Sequence, residues 1–170
     1  MAEKKKITRA GLEKLQAELD SRVAVTRNEI AREIEFARSY GDLSENAEYT
    51  EAKKKQAENE TKIAELEDFI KVVEVIEDDE ISSDRVSVGT TVGLETLSET
   101  NDDFMATKGE TVRYAIVGAQ EADPMHDRIS DESEVGKALI GAAIGDTVSI
   151  PLEGYTLVYA VLSIEKGDQV

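Results

Sequence analysis

The sequence has no cysteine and no tryptophan, and only 5% of its 170 residues are aromatic. The missing cysteines exclude disulfides, thiolate metal sites and cysteine nucleophiles, which fits a reducing compartment. Long apolar runs are also missing, since no segment approaches the roughly 18 apolar residues of a membrane span. The N-terminal stretch MAEKKKITRAGLEKL lacks the continuous apolar core of a signal peptide. We therefore expect a cytoplasmic protein with an aliphatic core and no membrane partner.

Positive charge is scarce, and it is unevenly distributed. The chain has 20 Lys and Arg against 37 Asp and Glu, a formal net charge of −17. Such a charge repels phosphate backbones and argues against a general nucleic-acid binder. However, 14 of the basic residues lie within residues 1–78, so a local basic site is still possible there.

Residues 1–76 predict a long antiparallel hairpin of two helices, a coiled coil that buries its own apolar stripes. Apolar residues recur at steps of three and four on both sides of Gly41, and Thr8 is a suitable N-cap for the first helix. Two helices of a compact bundle are the alternative, but no further helical pattern follows for them to pack on. The predicted stripes are Leu12, Leu15, Leu19, Val23, Thr26, Ile30, Ile34 and Ala37 in the first helix, and Ala52, Gln56, Ile63, Leu66, Ile70 and Val73 in the second.

Residues 85–170 predict a small antiparallel-sheet domain, after an acidic, polar linker at 77–84. In this half the periodicity changes to two, and valine, threonine, tyrosine and glycine become common. The fold class is therefore α+β. The predicted strands are Arg85 to Leu94, Thr111 to Val117, Thr147 to Pro151 and Tyr155 to Ile164, with a helix at Glu134 to Ile140 and a polar loop at Ser98 to Lys108.

The tip of the hairpin, residues 41–49, begins with GDLSE and carries two acids three residues apart. If Asp42 caps the second helix, Glu45 stands at the third helical position, which is the spacing of a capping box. Alternatively, the two carboxylates supply part of a Mg²⁺ site. Two acids are too few for a tight site, so the remaining ligands would come from another molecule.

Basic side chains cluster beside this tip. On a helical projection Arg27 and Arg38 lie together on one side of the apolar stripe, and Lys53 to Lys55 lie at a similar height on the second helix. Such a face could take phosphates of a short stretch of nucleic acid. The alternative is a solvated helix surface, because acidic residues stand three and four positions away.

The stretch GDLSENAEYTEAK resembles the signature of the Gre family of bacterial transcript-cleavage factors, in particular its GreA type. The resemblance continues through ITRAGLEKLQAELD and ARSYGD in the first half. In the second half, VGAQEADPMHDRISDESEVGKALIGAAIGDTVSI resembles the family pattern ISxxSPxxxALIGxxxGDxV. The match spans roughly residues 7–165, with motifs in both halves.

This resemblance implies a fold and an activity. The fold is an N-terminal antiparallel coiled coil followed by a globular domain similar to FKBP-type prolyl isomerases. The implied activity depends on RNA polymerase: the factor inserts its coiled coil into the secondary channel and brings its tip acids to the Mg²⁺ ions there. The nascent RNA 3′ end of a backtracked complex is then cleaved. The factor itself is not an enzyme, has no cofactor of its own, and is expected to be a monomer.

By the same resemblance, Asp42 and Glu45 occupy the motif positions that stabilise the shared Mg²⁺. Arg38 and Lys53 occupy the basic positions that face the RNA. The supporting tip positions are Gly41, Asn46 and Tyr49, and the residues implied in docking on the polymerase are Asp131, Ser133 and Glu134.

Two residues depart from the family pattern. Ser44 stands where many relatives have a basic residue, which predicts a weaker RNA contact at the tip. Glu134 stands where proline is usual, which affects the expected docking loop. Two other functions remain open: an inhibitory channel-binding paralogue of the same shape, and a chaperone or prolyl isomerase that acts through the second domain.

Overall fold

The computed structural model describes residues 5–41, 46–77, 79–98 and 107–167. These residues pack into two units, one of Leu12–Val73 and one of Met1–Gly11 together with Glu74–Val170. The first unit is helical, and the second is built on a mostly antiparallel sheet. The predicted α+β class with an N-terminal helical hairpin is therefore confirmed. Within the described ranges, no helix is both long and apolar enough to cross a membrane.

The hairpin has two long arms that run antiparallel. Arg27 pairs with Glu60, and Glu33, further along the first arm, pairs with Lys55. Residue numbers therefore fall on one arm as they rise on the other. The elements of the arms are α1 (Arg9–Ser21), a π-helical turn (Arg22–Thr26) and α2 (Arg27–Arg38) in the first, and α3 (Ala47–Val72) in the second.

The predicted apolar stripes form most of the contact between the arms. The buried residues are Leu15, Ile30, Ile34 and Ala37 on the first arm, and Ala52, Ile63 and Leu66 on the second. Val23 was expected in this stripe but is exposed. It lies in the π-helical turn, whose wider hydrogen-bonded ring rotates the side chains away from the α-helical period.

A polar pair was not predicted in the interior of the hairpin. Asn59 is buried at a stripe position of α3, and its amide donates to the Arg22 carbonyl at 3.4 Å. In return, the Arg22 guanidinium donates to the Asn59 side-chain oxygen at 3.3 Å. The Arg27 N–H also donates to that carbonyl, which is the π-helical bond of this turn. The pair therefore lies against the one irregular turn of the first arm.

The second unit contains a five-stranded sheet in the order β5-β4-β3-β7-β6 and a separate parallel pair, β1 with β2. In the sheet, only the short β4–β5 pairing is parallel. The strands are β1 (Lys6–Thr8), β2 (Glu74–Ile76), β3 (Thr90–Thr96), β4 (Thr111–Val117), β5 (Arg128–Ser130), β6 (Thr147–Leu152) and β7 (Tyr155–Lys166), and the helix is α4 (Glu134–Leu139).

Strand β3 is central and almost entirely buried, but it begins at Thr90, later than predicted. The stretch before it pairs with a loop: the Val86 N–H donates to the Ala142 carbonyl, and the Gly141 N–H donates to the Val86 carbonyl, both at 2.8 Å. Val86 is fully buried and belongs to the core without being part of the sheet. The apolar pattern before Thr90 therefore predicted burial correctly, but this stretch bonds to a loop and is not part of strand β3.

The start of α1 is held by a carboxylate from the sheet unit. Thr8 caps the helix as predicted, since its hydroxyl oxygen accepts from the Gly11 N–H at 3.0 Å. Glu121 accepts from both the Thr8 N–H at 3.0 Å and the Thr8 hydroxyl at 2.7 Å. The Glu121 carboxylate also pairs with Arg128 at 3.5 Å, and its side chain is buried. This network ties the first strand to the sheet unit.

Candidate functional site

Asn46 joins the two arms of the hairpin at its tip. Its side-chain oxygen accepts from the Tyr49 N–H at 3.0 Å, which makes it the N-cap of α3. Its side-chain amide donates to the Ala37 carbonyl in the last turn of α2 at 2.7 Å. One side chain therefore satisfies an unpaired donor of one helix and an acceptor of the other. The Asn46 side chain thus connects the two helices at the tip, and its role in function stays a prediction.

Gly41 gives the chain its direction as it leaves α2. Its φ is +98°, a region that residues with a Cβ rarely adopt. The Gly41 N–H donates to the Arg38 carbonyl at 3.2 Å, and the Tyr40 N–H donates to the Ala37 carbonyl at 3.3 Å. A tight, glycine-dependent turn therefore precedes the acidic segment.

Asp42, Ser44 and Glu45 lie outside the described residues, so their predicted roles stay predictions. The described residues nevertheless decide one of the two interpretations of the acids. The N-cap of α3 is Asn46, four residues after Asp42. The interpretation of Asp42 and Glu45 as the capping box of this helix is therefore wrong.

Two basic side chains lie beside the tip and have no carboxylate partner among the described residues. The Arg38 guanidinium lies 5.8 Å from the centre of the Tyr49 ring, within cation–π distance. Arg38 forms no ion pair with any described residue. The Lys53 ammonium donates to the Gln56 side-chain oxygen and has no carboxylate partner in the described part of the chain. Arg38 and Lys53 are also the two cations that the sequence assigned to RNA.

The other basic side chains of the predicted positive face are paired. Arg27 makes two parallel hydrogen bonds to Glu60 across the hairpin, at 2.7 and 2.6 Å. This hydrogen bond lowers the pKa of Glu60 and raises that of Arg27. The predicted positive face is therefore smaller than expected, and the solvated-surface interpretation holds for its paired members. The paired lysines are Lys54 with Glu58 and Lys55 with Glu33.

The three predicted docking residues lie together in the sheet unit, at the start of α4. Ser133 caps this helix: its hydroxyl accepts from the Gly136 N–H at 3.0 Å and donates to the Ser130 carbonyl at 2.7 Å. Glu134 is exposed in the first turn. A Cβ at Gly136 would collide with the Ser130 carbonyl oxygen, so the helix packs closely on the preceding turn. The turn that carries Asp131 is therefore well fixed.

Asp131 has an unsatisfied carboxylate oxygen. Its Oδ1 is buried and has no hydrogen-bond partner among the described residues. Burial, and then the nearby charge of Glu132, raise the pKa of Asp131. Ionisation of Asp131 is therefore disfavoured in the folded chain, because the charged carboxylate is partly desolvated.

The described ranges contain no group of three His, Cys, Asp or Glu residues that could hold a metal ion. The predicted Mg²⁺ donors, Asp42 and Glu45, are outside those ranges. Their chemistry fits the ion, because carboxylate oxygens are the hard ligands that Mg²⁺ prefers. Two such groups supply only part of the six-ligand shell.

Comparisons with known proteins identify both halves of the chain. Residues 5–75 match the domain family described as "Transcription elongation factor, N-terminal", and residues 81–166 match "Transcription elongation factor, GreA/GreB, C-term". Transcription elongation factor GreA of Clostridium perfringens is 45% identical over 98% of this chain and 100% of its own length. The GreA of Caldanaerobacter subterraneus is 44% identical over 94% of this chain and 96% of its own.

Among solved structures, GreA factor homolog 1 (Gfh1) of Thermus thermophilus is similar, at 27% identity over 95% of this chain and 99% of its own, with a TM-score of 0.41. The two domain matches and the near-full-length identity to GreA proteins establish the relationship on sequence. The chain belongs to the GreA/GreB family of transcription elongation factors.

Proposed function

We propose that this chain binds bacterial RNA polymerase, inserts its helical hairpin into the secondary channel, and stimulates Mg²⁺-dependent cleavage of the nascent RNA 3′ end in backtracked complexes. Arrested complexes are thereby returned to elongation. The observation that carries this proposal is the tip: Asn46 ties the arms together directly after the acidic segment, which is flanked by two cations without a carboxylate partner among the described residues. Family membership supports the same activity.

The catalytic part of the proposal rests on Asp42 and Glu45. The two carboxylates complete the shell of a Mg²⁺ ion that is otherwise held by the polymerase. When bound, such an ion polarises a water molecule and stabilises the charge that develops during phosphodiester hydrolysis. Because the chain supplies only two ligands, it acts as a partner to the polymerase and not as a nuclease by itself.

Arg38 and Lys53 hold the RNA in this scheme. Both cations lack a carboxylate partner in the described part of the chain, so binding a phosphate breaks no ion pair with those residues. The Tyr49 ring beside the Arg38 guanidinium restricts that side chain and so favours a fixed approach to the transcript. Gly41 supports the turn from which the acids follow.

In this proposal, the turn that contains Asp131, Ser133 and Glu134 docks on the surface of the polymerase. Its backbone is fixed by the Ser133 cap and by close packing at Gly136. The exposed Glu134 carboxylate accepts hydrogen bonds, so it fits a donor side chain of the polymerase.

The test is cleavage of a backtracked elongation complex that carries a 3′-labelled transcript. Wild-type protein should release short labelled fragments, whereas Asp42→Asn with Glu45→Gln should bind the polymerase and lose stimulation. The matched control is Glu65→Gln with Asp68→Asn, which removes two exposed acids far along α3 and should leave stimulation unchanged. If wild type binds and fails to stimulate cleavage, the inhibitory interpretation replaces this one.

A further inference from the structure

Phe36 and Tyr40 form an exposed aromatic pair next to the tip. Their side chains are 61% and 63% exposed, and their rings meet edge to face with centroids 5.2 Å apart. They contribute little to the contact between the arms, which is made here by Ala37, itself only 2% exposed. Neighbouring aromatic rings at a surface are typical of protein interfaces. The signal in the sequence is two aromatic residues four positions apart on a helix, outside its apolar stripe.

This pair lies on the opposite side of the hairpin from Arg38 and Lys53. Each residue of a helix turns by about 100°, so Phe36 and Arg38 project to either side of the buried Ala37. Arg38 meets Tyr49 of α3, and Lys53 lies one turn further on that same side. We call the two sides the Phe36 flank and the Arg38 flank.

The Phe36 flank contains a groove of about 470 Å³ between α2 and α3. Phe36, Ala37 and Ala52 line it with apolar surface, and acidic residues line its edges. Three acids, Glu33, Glu48 and Glu51, line the groove together with one cation, Lys55, which is paired with Glu33. The groove therefore combines an aromatic ring, an apolar floor and an excess of negative charge.

We propose that the Phe36 flank is the surface by which the hairpin docks on the protein wall of the polymerase channel, against a segment that presents an arginine. The Arg38 flank then faces the RNA. This inference rests on the proposed function and adds the rotational orientation of the hairpin in the channel. It also assigns an interaction to Phe36 and Tyr40, which have no part in the metal or RNA chemistry.

The chemistry of the groove favours arginine as the occupant. A guanidinium stacks on aromatic rings and also forms paired hydrogen bonds to a carboxylate, so a single side chain satisfies both features of the flank. A nucleic-acid strand would stack on the rings equally well, but its phosphates would meet Glu48 and Glu51, and the one cation in the groove, Lys55, is already paired with Glu33. Charge therefore separates the two flanks into a side for protein and a side for RNA.

Photo-cross-linking in a reconstituted backtracked complex tests this orientation. A photoreactive amino acid is placed at position 36 in one variant and at position 53 in another, with labelled RNA in the complex. We expect position 36 to cross-link to polymerase protein and position 53 to cross-link to RNA. Cross-linking of position 36 to the RNA, or to a second copy of this chain, would overturn the inference.

Binding gives a second readout. Phe36→Ser with Tyr40→Ser should weaken polymerase binding about tenfold or more, because two interface aromatics are lost. Val25→Ser is the matched control: Val25 is 50% exposed on the same arm, and its loss should leave affinity unchanged. Circular dichroism verifies that the hairpin of each variant is folded. If the aromatic variant binds normally while wild type stimulates cleavage, only the docking surface is refuted; if wild type neither binds nor stimulates, both proposals fall.

Discussion

Replacing Asn46 should loosen the hairpin at the position where it presents the acidic segment. Asn46→Ala removes both the cap of α3 and the bond to the Ala37 carbonyl. Asn46→Asp separates the two, since a carboxylate still accepts from the Tyr49 N–H but cannot donate to Ala37. Asn46→Asp compared with wild type therefore isolates the tie between the arms, and the two variants compared with each other isolate the cap.

The expected magnitudes follow from the two hydrogen bonds. Loss of an N-cap side chain costs about 1 kcal/mol, and loss of a half-buried hydrogen bond costs about 1 kcal/mol net. Asn46→Ala should therefore cost about 2 kcal/mol. Asn46→Asp should cost about 1 kcal/mol, less a few tenths regained because a negative charge at the start of a helix is favourable.

Native-state hydrogen exchange of the Tyr49 amide measures this effect locally, which matters because the chain has two units. A loss of 1 kcal/mol accelerates exchange about fivefold, and a loss of 2 kcal/mol about thirtyfold. Amides near Leu66, far along α3, serve as the internal reference. Equal exchange rates in wild type and both variants would refute the assigned role of Asn46. An exchange rate in Asn46→Asp equal to that of wild type would show that the bond to Ala37 contributes nothing, and equal rates in the two variants would show the same of the cap.

Three further outcomes are expected from the remaining contacts. Glu121→Ala should lower the free energy of unfolding by about 3 kcal/mol in thermal denaturation. The reason is that two donors of Thr8 lose their acceptors and that Arg128 loses a buried carboxylate partner. Glu121→Gln should lower the free energy of unfolding by less. Asp131→Asn should stabilise the chain at pH 7. Folding raises the pKa of Asp131, so ionisation of its carboxyl group opposes folding once the pH rises above about 4, the usual pKa of an aspartate. In denaturation experiments below that pH, the gain in stability should vanish. Asn59→Leu should change the free energy of unfolding by less than about 1 kcal/mol. It should nevertheless broaden the distribution of distances between spin labels on the two arms, because the buried polar pair fixes the register of the arms. An unchanged distance distribution would count against that role.

The hairpin was predictable because a regular stripe of apolar residues is a local and repetitive signal. Ile30, Ile34 and Ala37 are buried where the period places them. The same reasoning failed at Val23, since a π-helical turn shifts the period by one residue and leaves no mark in composition. Asn59 was missed because its polarity removed it from a stripe that its spacing fits.

In the sheet unit, long strands were predicted and three-residue strands were not. β4 has its predicted bounds, and β6 and β7 extend only slightly further than expected. β1, β2 and β5 are too short to show alternation, and β1 pairs with a strand that lies 68 residues away in the chain. Such pairings depend on tertiary contacts that no local pattern records.

The family resemblance named the residues of the candidate site but not their contacts, and their roles stay predictions. It implied Arg38, Asn46 and Tyr49, but it did not indicate that the Asn46 side chain bonds to both helices. The sequence also favoured a larger positive face, because helical projection shows which residues share a side and not which of them are neutralised. Arg27 is the clearest case, since its partner Glu60 lies 33 residues away on the other arm.

The rate of 3′-fragment release as a function of Mg²⁺ concentration tests the central claim most directly. The assay compares backtracked complexes alone, with wild-type protein, and with the Asp42→Asn and Glu45→Gln double variant at concentrations that saturate the polymerase. We predict that wild type lowers the Mg²⁺ concentration needed for half-maximal cleavage, whereas the variant leaves it at the value of the polymerase alone. If the variant shifts the Mg²⁺ dependence as far as wild type does, the tip acids do not contribute to the metal site, and the account is wrong.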